Sequence, residues 1–101
     1  MSFANLELDV IRWSEARKII PNSTAYAQSV KAKEEIYELC DALLKNDKIE
    51  AIDAVGDTVV CLINVCALLD VNLTDCLAAA YDQIKDRSGT MGADGIFYKD
   101  K

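Results

Sequence analysis

Between Val59 and Leu69 the chain is apolar on nearly every side of a helix, interrupted only by Asn64. A helix of that kind has no face for water and must be covered all round. The run is well short of the roughly 20 residues that a membrane-spanning helix needs. It therefore predicts the central rod of a helical bundle. The 101 residues give room for one domain, residues 1–101, and for few other helices, too few to enclose that rod. A second copy is expected to supply the missing cover, most simply by two-fold packing, making the chain a homo-oligomer, dimer or tetramer.

The other periodicities agree. Phe3, Leu6, Val10 and Trp13 recur at spacings of three and four, which predicts a first helix from roughly Asn5 to Ile19. Pro21 and Asn22-Ser23-Thr24 close it, and Ser23 or Thr24 is suited to cap a second helix from about Ala25 to Lys45. The apolar stripe of that helix is Ile36, Leu39, Cys40, Leu43 and Leu44. Asn46-Asp47-Lys48 breaks the pattern before a third helix, about Ile49 to Leu69. Asn72 or Thr74 starts a fourth that ends near Arg87, ahead of Ser88-Gly89. Asp94-Gly95 before Ile96-Phe97-Tyr98 predicts a small hairpin or an extended tail. The expected fold class is all-α.

Histidine is absent, which removes imidazole-based catalysis, His-ligated zinc and the Glu-x-x-His di-iron site. Acidic residues outnumber basic ones 17 to 11, for a net charge of −6, so nucleic acid is not an expected partner. Neither G-x-x-x-x-G-K nor G-x-G-x-x-G occurs, and no glycine loop cradles a phosphate. The cysteines, Cys40, Cys61, Cys66 and Cys76, form no Cys-x-x-Cys pair and lie in apolar helical patterns. The N-terminal MSFANLELDVIRW is charged and amphipathic, unlike a secretory leader. Reduced cysteines in the core of a cytoplasmic protein, with no membrane partner, are the expectation.

The carboxylates carry the chemistry. At about 100° per residue, Glu35 and Glu38 occupy neighbouring turns of the second helix beside its apolar stripe, with Gln28 and Lys31 on the same edge and Glu34 turned outward. On the third helix Glu50, Asp53, Asp57 and Asn64 share one angular band. Gly56 is expected to admit another backbone closely and to carry Asp57 into a packed region. Packing the two helices together would gather Glu35, Glu38, Asp53 and Asp57 at the rim of the core. Carboxylates so gathered repel unless neutralised, and hard divalent cations with oxygen ligands neutralise them.

Glu34-Glu35-x-x-Glu38 followed by Asp57 at the head of an apolar helix resembles the E-E-x-x-E … E-x-x-D signature of the MazG-like all-α nucleoside triphosphate pyrophosphohydrolases. The order of the flanking pieces is similar as well: Trp13, then Gln28-x-x-Lys31 before the acids, Leu73-Thr74-Asp75-Cys76-Leu77, Tyr81-Asp82-x-Ile84-Lys85-Asp86-Arg87, and Gly89-Thr90-Met91 … Gly95-Ile96-Phe97 at the end. The resemblance implies a helical bundle completed by oligomerisation and a nucleoside triphosphate substrate. It implies Mg²⁺, with Mn²⁺ an alternative, and cleavage between the α and β phosphates. Glu35, Glu38 and Asp57 are the implied metal ligands, and Glu34 or Asp53 is a candidate to take the proton from water. The family's second glutamate falls on Ala54, so Asp53, one residue earlier, is expected to serve as a fourth ligand. That departure also leaves an alternative, a non-catalytic oligomer of the same fold.

Lys85 and Arg87 resemble the family's basic residues that meet the triphosphate, though cations at a helix end also complement its dipole. Lys31 is suited to contact phosphate or to pair with Glu35. Asn64 is either a satisfied core amide or a group that reads a base edge or orients a carboxylate. Trp13 is expected first in the core, with stacking on a nucleobase as its functional role.

Overall fold

The computed structural model describes residues 1–100. Five helices, α1 (Phe3–Ala16), α2 (Ile19–Asn22), α3 (Ala25–Leu44), α4 (Lys48–Leu68) and α5 (Leu73–Ile84), precede an antiparallel hairpin of β1 (Gly89–Met91) and β2 (Phe97–Lys99). The predicted helices are all present, and the C-terminal segment is the hairpin. Ser2, Thr24, Asp47 and Asn72 cap α1, α3, α4 and α5, each accepting the amide hydrogen three residues on.

The first helix stops at Ala16, earlier than its periodicity suggested. Pro21 would collide with the carbonyl four residues back if the helix ran on. The chain instead turns through a left-handed Lys18 and restarts as the single turn α2, where Pro21 is tolerated. Left-handed residues also end α3 and α4: after Asn46 and Asp70 the next amide reaches back, Asp47 to the Ala42 carbonyl and Val71 to that of Cys66. In the hairpin, Gly95 supplies the positive φ of 81° in the turn.

The α3–α4 pair is the body of the molecule. Its seam is Ala25, Gln28, Ala32, Glu35, Leu39 and Ala42 on α3 against Ala51, Ala54, Thr58, Cys61, Val65 and Leu68 on α4, all buried or half-buried. Both sets repeat at alternating intervals of three and four, as two closely packed antiparallel helices require. The buried face of α3 is thus rotated from the stripe read in the sequence. Leu39 is half-buried, but Ile36, Leu43 and Leu44 point outward. The same rotation occurs in α1, where Glu7 and Ser14 are buried while Phe3, Leu6 and Trp13 are exposed. The larger apolar side chains lost the contest because alanine lets two helix backbones approach more closely.

Polar residues tie the helices together. The Ser14 hydroxyl donates to Asn64 Oδ1 at 2.7 Å, Asn64 Nδ2 donates to Gln28 Oε1 at 3.1 Å, and Gln28 Nε2 donates to the Ser23 hydroxyl at 3.0 Å. This network joins α1, α4 and α3. Glu7 reaches from α1 to the start of α5, accepting from the Leu73 amide, the Thr74 amide and the Thr74 hydroxyl. By length and composition alone, the 21-residue α4 is apolar enough to cross a membrane. In the fold it lies along α3, with Asn64 held in the network.

The chain leaves much apolar surface open. Its accessible area is 7613 Å², against about 5,700 Å² for a compact chain of this mass. Its radius of gyration is 15.8 Å, against about 13 Å. Ile49, Ile52 and Val55 on α4 and Leu77 and Tyr81 on α5 are exposed, and among the described residues the hairpin packs on no helix.

Candidate active site

The α3 seam places a carboxylate where an apolar residue would be expected. Glu35 is only 7% exposed, and its Oε2 has no hydrogen-bond partner. Burial pushes its carboxyl above the usual carboxylate range. A proton-sharing contact with Glu38 and the negative charges of Glu38 and Asp57 push it further, while Lys31 pulls it back in part. Lys31 Nζ lies 3.8 Å from Glu35 Oε1 and 3.1 Å from Glu34 Oε2. The hydrogen bond it donates to Glu34, and then the acid charges around it, hold the Lys31 ammonium above its ordinary value. Beneath the acids, burial and then the Glu35 charge raise the Cys61 thiol.

Glu35 therefore feels Glu38 along its own helix and Asp57 across the α3–α4 seam. Glu34 is exposed and paired outward with Lys31. Among the described residues, no three His, Cys, Asp or Glu side chains stand close enough to enclose a metal ion as placed. The donor set is nonetheless that of a hard divalent cation: carboxylate oxygens only, one of them buried without a partner.

Asp57 also faces the other way. The geometry expected around Gly56 is not found: a Cβ there would meet nothing within 4 Å. Gly56 and the exposed Asp57 border an open groove of about 570 Å³ between α1 and α4, lined also by Leu6, Val10, Asp53 and Val60. The groove exists because α1 meets α4 through its polar face and leaves its apolar side chains at the edge. Asp53 is thus on the α1 side, and it is not among the charges that act on Glu35.

Trp13 is 46% exposed rather than in the core. It shares a hollow of about 320 Å³ with Asp9, Val10, Asp57 and Val60. The Arg17 guanidinium lies over its ring at 5.2 Å from the centroid, an interaction that their spacing of four on α1 would have revealed. Asn64 is 2% exposed with both ends of its amide engaged, which places it in the Ser14–Gln28 network. Lys85 pairs with Asp82 at 3.3 Å. Among the described residues α5 makes no contact with α3, so one protomer does not bring Lys85 and Arg87 to Glu35 and Glu38.

The sequence profile of the phosphoribosyl-ATP pyrophosphohydrolases matches residues 14–83, over two thirds of the chain, including Glu34, Glu35, Glu38 and Asp57. The chain belongs to the phosphoribosyl-ATP pyrophosphohydrolase family. As a member of that family it is a nucleotide pyrophosphohydrolase. The fold is also that of a solved structure, the cyanophage S-2L MazG-like pyrophosphohydrolase bound to dGDP and three catalytic Mn²⁺ ions per active site. The TM-score is 0.74 at 22% identity, covering 100% of this chain and 99% of that one. No curated protein matches this family member. The MazG-like all-α resemblance read from the sequence therefore holds for the fold and for the family, while Trp13, Lys85 and Arg87 lie outside the matched residues.

Proposed function

We propose that this chain hydrolyses nucleoside triphosphates between the α and β phosphates, giving a nucleoside monophosphate and pyrophosphate, with Mg²⁺ or Mn²⁺ as cofactor. The observation that carries the reading is the buried Glu35 carboxylate, unpartnered at Oε2 and facing Glu38 and Asp57. The dGDP and Mn²⁺ of the cyanophage structure support it. When bound, the metal supplies charge neutralisation for the phosphates and the Lewis acidity that makes water a nucleophile near neutral pH.

Glu35, Glu38 and Asp57 hold the cation. Asp53, on the same groove as Asp57, is the fourth candidate and a candidate acceptor for the proton of the attacking water, with the exposed Glu34 as the other. Asp57 lines both the groove and the Trp13 hollow, so phosphate chemistry and nucleobase binding adjoin. The base stacks on Trp13. Lys31, beside Glu35, is placed to meet a phosphate oxygen. Asn64 acts only through the helices it fastens.

The working form is a homo-oligomer acting on free nucleotides in the cytoplasm, with neither nucleic acid nor membrane as partner. The excess of nearly 2,000 Å² of surface over a compact chain of this mass supports oligomerisation, since it is more than twice the roughly 800 Å² that each partner buries in a standard interface. Lys85 and Arg87 steady the triphosphate from a second copy.

The test is pyrophosphate release from a panel of nucleoside triphosphates with Mg²⁺ or Mn²⁺. Activity that is lost in Glu38→Ala and Asp57→Ala, with helicity intact by circular dichroism, is the expected result. Silence across the panel with no metal-dependent thermal shift would favour a non-catalytic oligomer, the outcome to which Ala54 points.

A further inference from the structure

Where α4 meets α5, Cys66 and Cys76 stand with their sulfurs 3.9 Å apart. Both thiols are free. Cys66 is buried, whereas Cys76 is exposed and opens on a hollow of about 630 Å³ lined by the apolar Ile11, Ala67, Val71 and Ala79 and by the polar Asp70, Asn72 and Asp75. The nucleotide chemistry proposed above uses neither residue. To bond, the two sulfurs must close from 3.9 Å to roughly 2.05 Å.

We propose that Cys76 and Cys66 form a thiol–disulfide exchange site for a small-molecule disulfide of the glutathione class. The Cys76 thiolate attacks one sulfur of the small disulfide, forming a mixed disulfide and expelling one small thiolate. Cys66 then attacks Cys76 Sγ, forming the Cys66–Cys76 bond and expelling the second. Two electrons pass from the protein dithiol to the small disulfide, and the two protons lost by the protein end on the two released thiols. Access fixes the order of events, since the hollow reaches only Cys76. Burial, then the contact with Cys76 and the charge of Glu7 on α1, push the Cys66 thiol up to about 11, so it enters second. The product staples α5 to α4 beside the Glu7–Thr74 contact.

The experiment uses the full chain in a Cys40→Ser background, reduced and then exposed to excess glutathione disulfide. Peptide mass mapping and thermal melts are the readouts. The expected result is a transient glutathione adduct on Cys76, followed by a bond linking the Cys66 and Cys76 peptides within one chain. Tm should then rise by roughly 10 °C and return on adding dithiothreitol. Cys66→Ser should accumulate the adduct, and Cys76→Ser should yield neither species. A Cys76 that stays unmodified, an adduct that never resolves with Cys66 present, or a bond joining two chains would each overturn the proposal.

Discussion

The Glu7 carboxylate accepts the Thr74 hydroxyl at 2.7 Å across a separation of 67 residues in sequence. Burial raises this carboxyl, but the hydrogen bonds from Thr74 and Leu73 outweigh it and leave the group below the 4.5 of a free glutamate. Its stabilisation is therefore complete above the unfolded-state value and is lost as pH falls through the lower folded-state value. Glu7→Ala should cost about 2–3 kcal/mol, read by urea unfolding at neutral pH. The difference from wild type should shrink as the buffer is acidified below 4.5.

Glu35 carries the opposite sign. Its carboxyl is raised by burial and then by Glu38 and Asp57, so the folded state favours the proton. The metal-free protein therefore loses stability as pH climbs through the raised value. Glu35→Gln should raise Tm in a chelator at neutral pH and should abolish the upward shift that Mg²⁺ gives the wild type. A variant that melts lower in chelator would show that the charge is welcome where it sits.

Asn64 is fastened at both ends, to Ser14 and to Gln28. Asn64→Ala orphans buried partners and should cost about 2–3 kcal/mol, while KM for the best triphosphate should stay within about twofold of wild type. A rise in KM without loss of stability would return Asn64 to the substrate.

Trp13→Ala removes a stacking plane at the edge of the Asp57 hollow. KM should rise roughly 5–30-fold with kcat little changed, as expected for one base stacked on one ring. Steady-state kinetics decide it.

Sedimentation equilibrium at micromolar concentration should give a dimer or tetramer. The double change Ile49→Asp and Ile52→Asp, at side chains 84% and 63% exposed in the protomer, should shift the mass to that of one chain without loss of helicity.

Much of this architecture is legible in the residue order. Caps at Thr24 and Asn72, the Asp94-Gly95 turn and the apolar third rod each follow from local rules that tertiary structure did not overrule. Glu35, Glu38 and Asp57 lie on the helices their periodicity predicted, and the charges of Glu38 and Asp57 reach Glu35. Asp53, four residues before Asp57, lines the same groove beside α1 but is not among the charges that act on Glu35. The buried faces of α1 and α3 were hidden. Hydrophobic periodicity finds large side chains, and here Ala32, Ala42, Ala51 and Ala54 hold the seam while the large ones face outward. The heptad of small residues was in the sequence, but beside Ile36, Leu43 and Leu44 it is the weaker signal.

The alanine seam also inverts the usual vulnerability of a protein interior. Ala54 is 1% exposed, so every substitution there except glycine enlarges the side chain. Overpacking, not cavity formation, is then the route by which point changes would unseat Glu35. The bulky outer side chains should therefore tolerate exchange for other sizes more readily than the small residues of the seam.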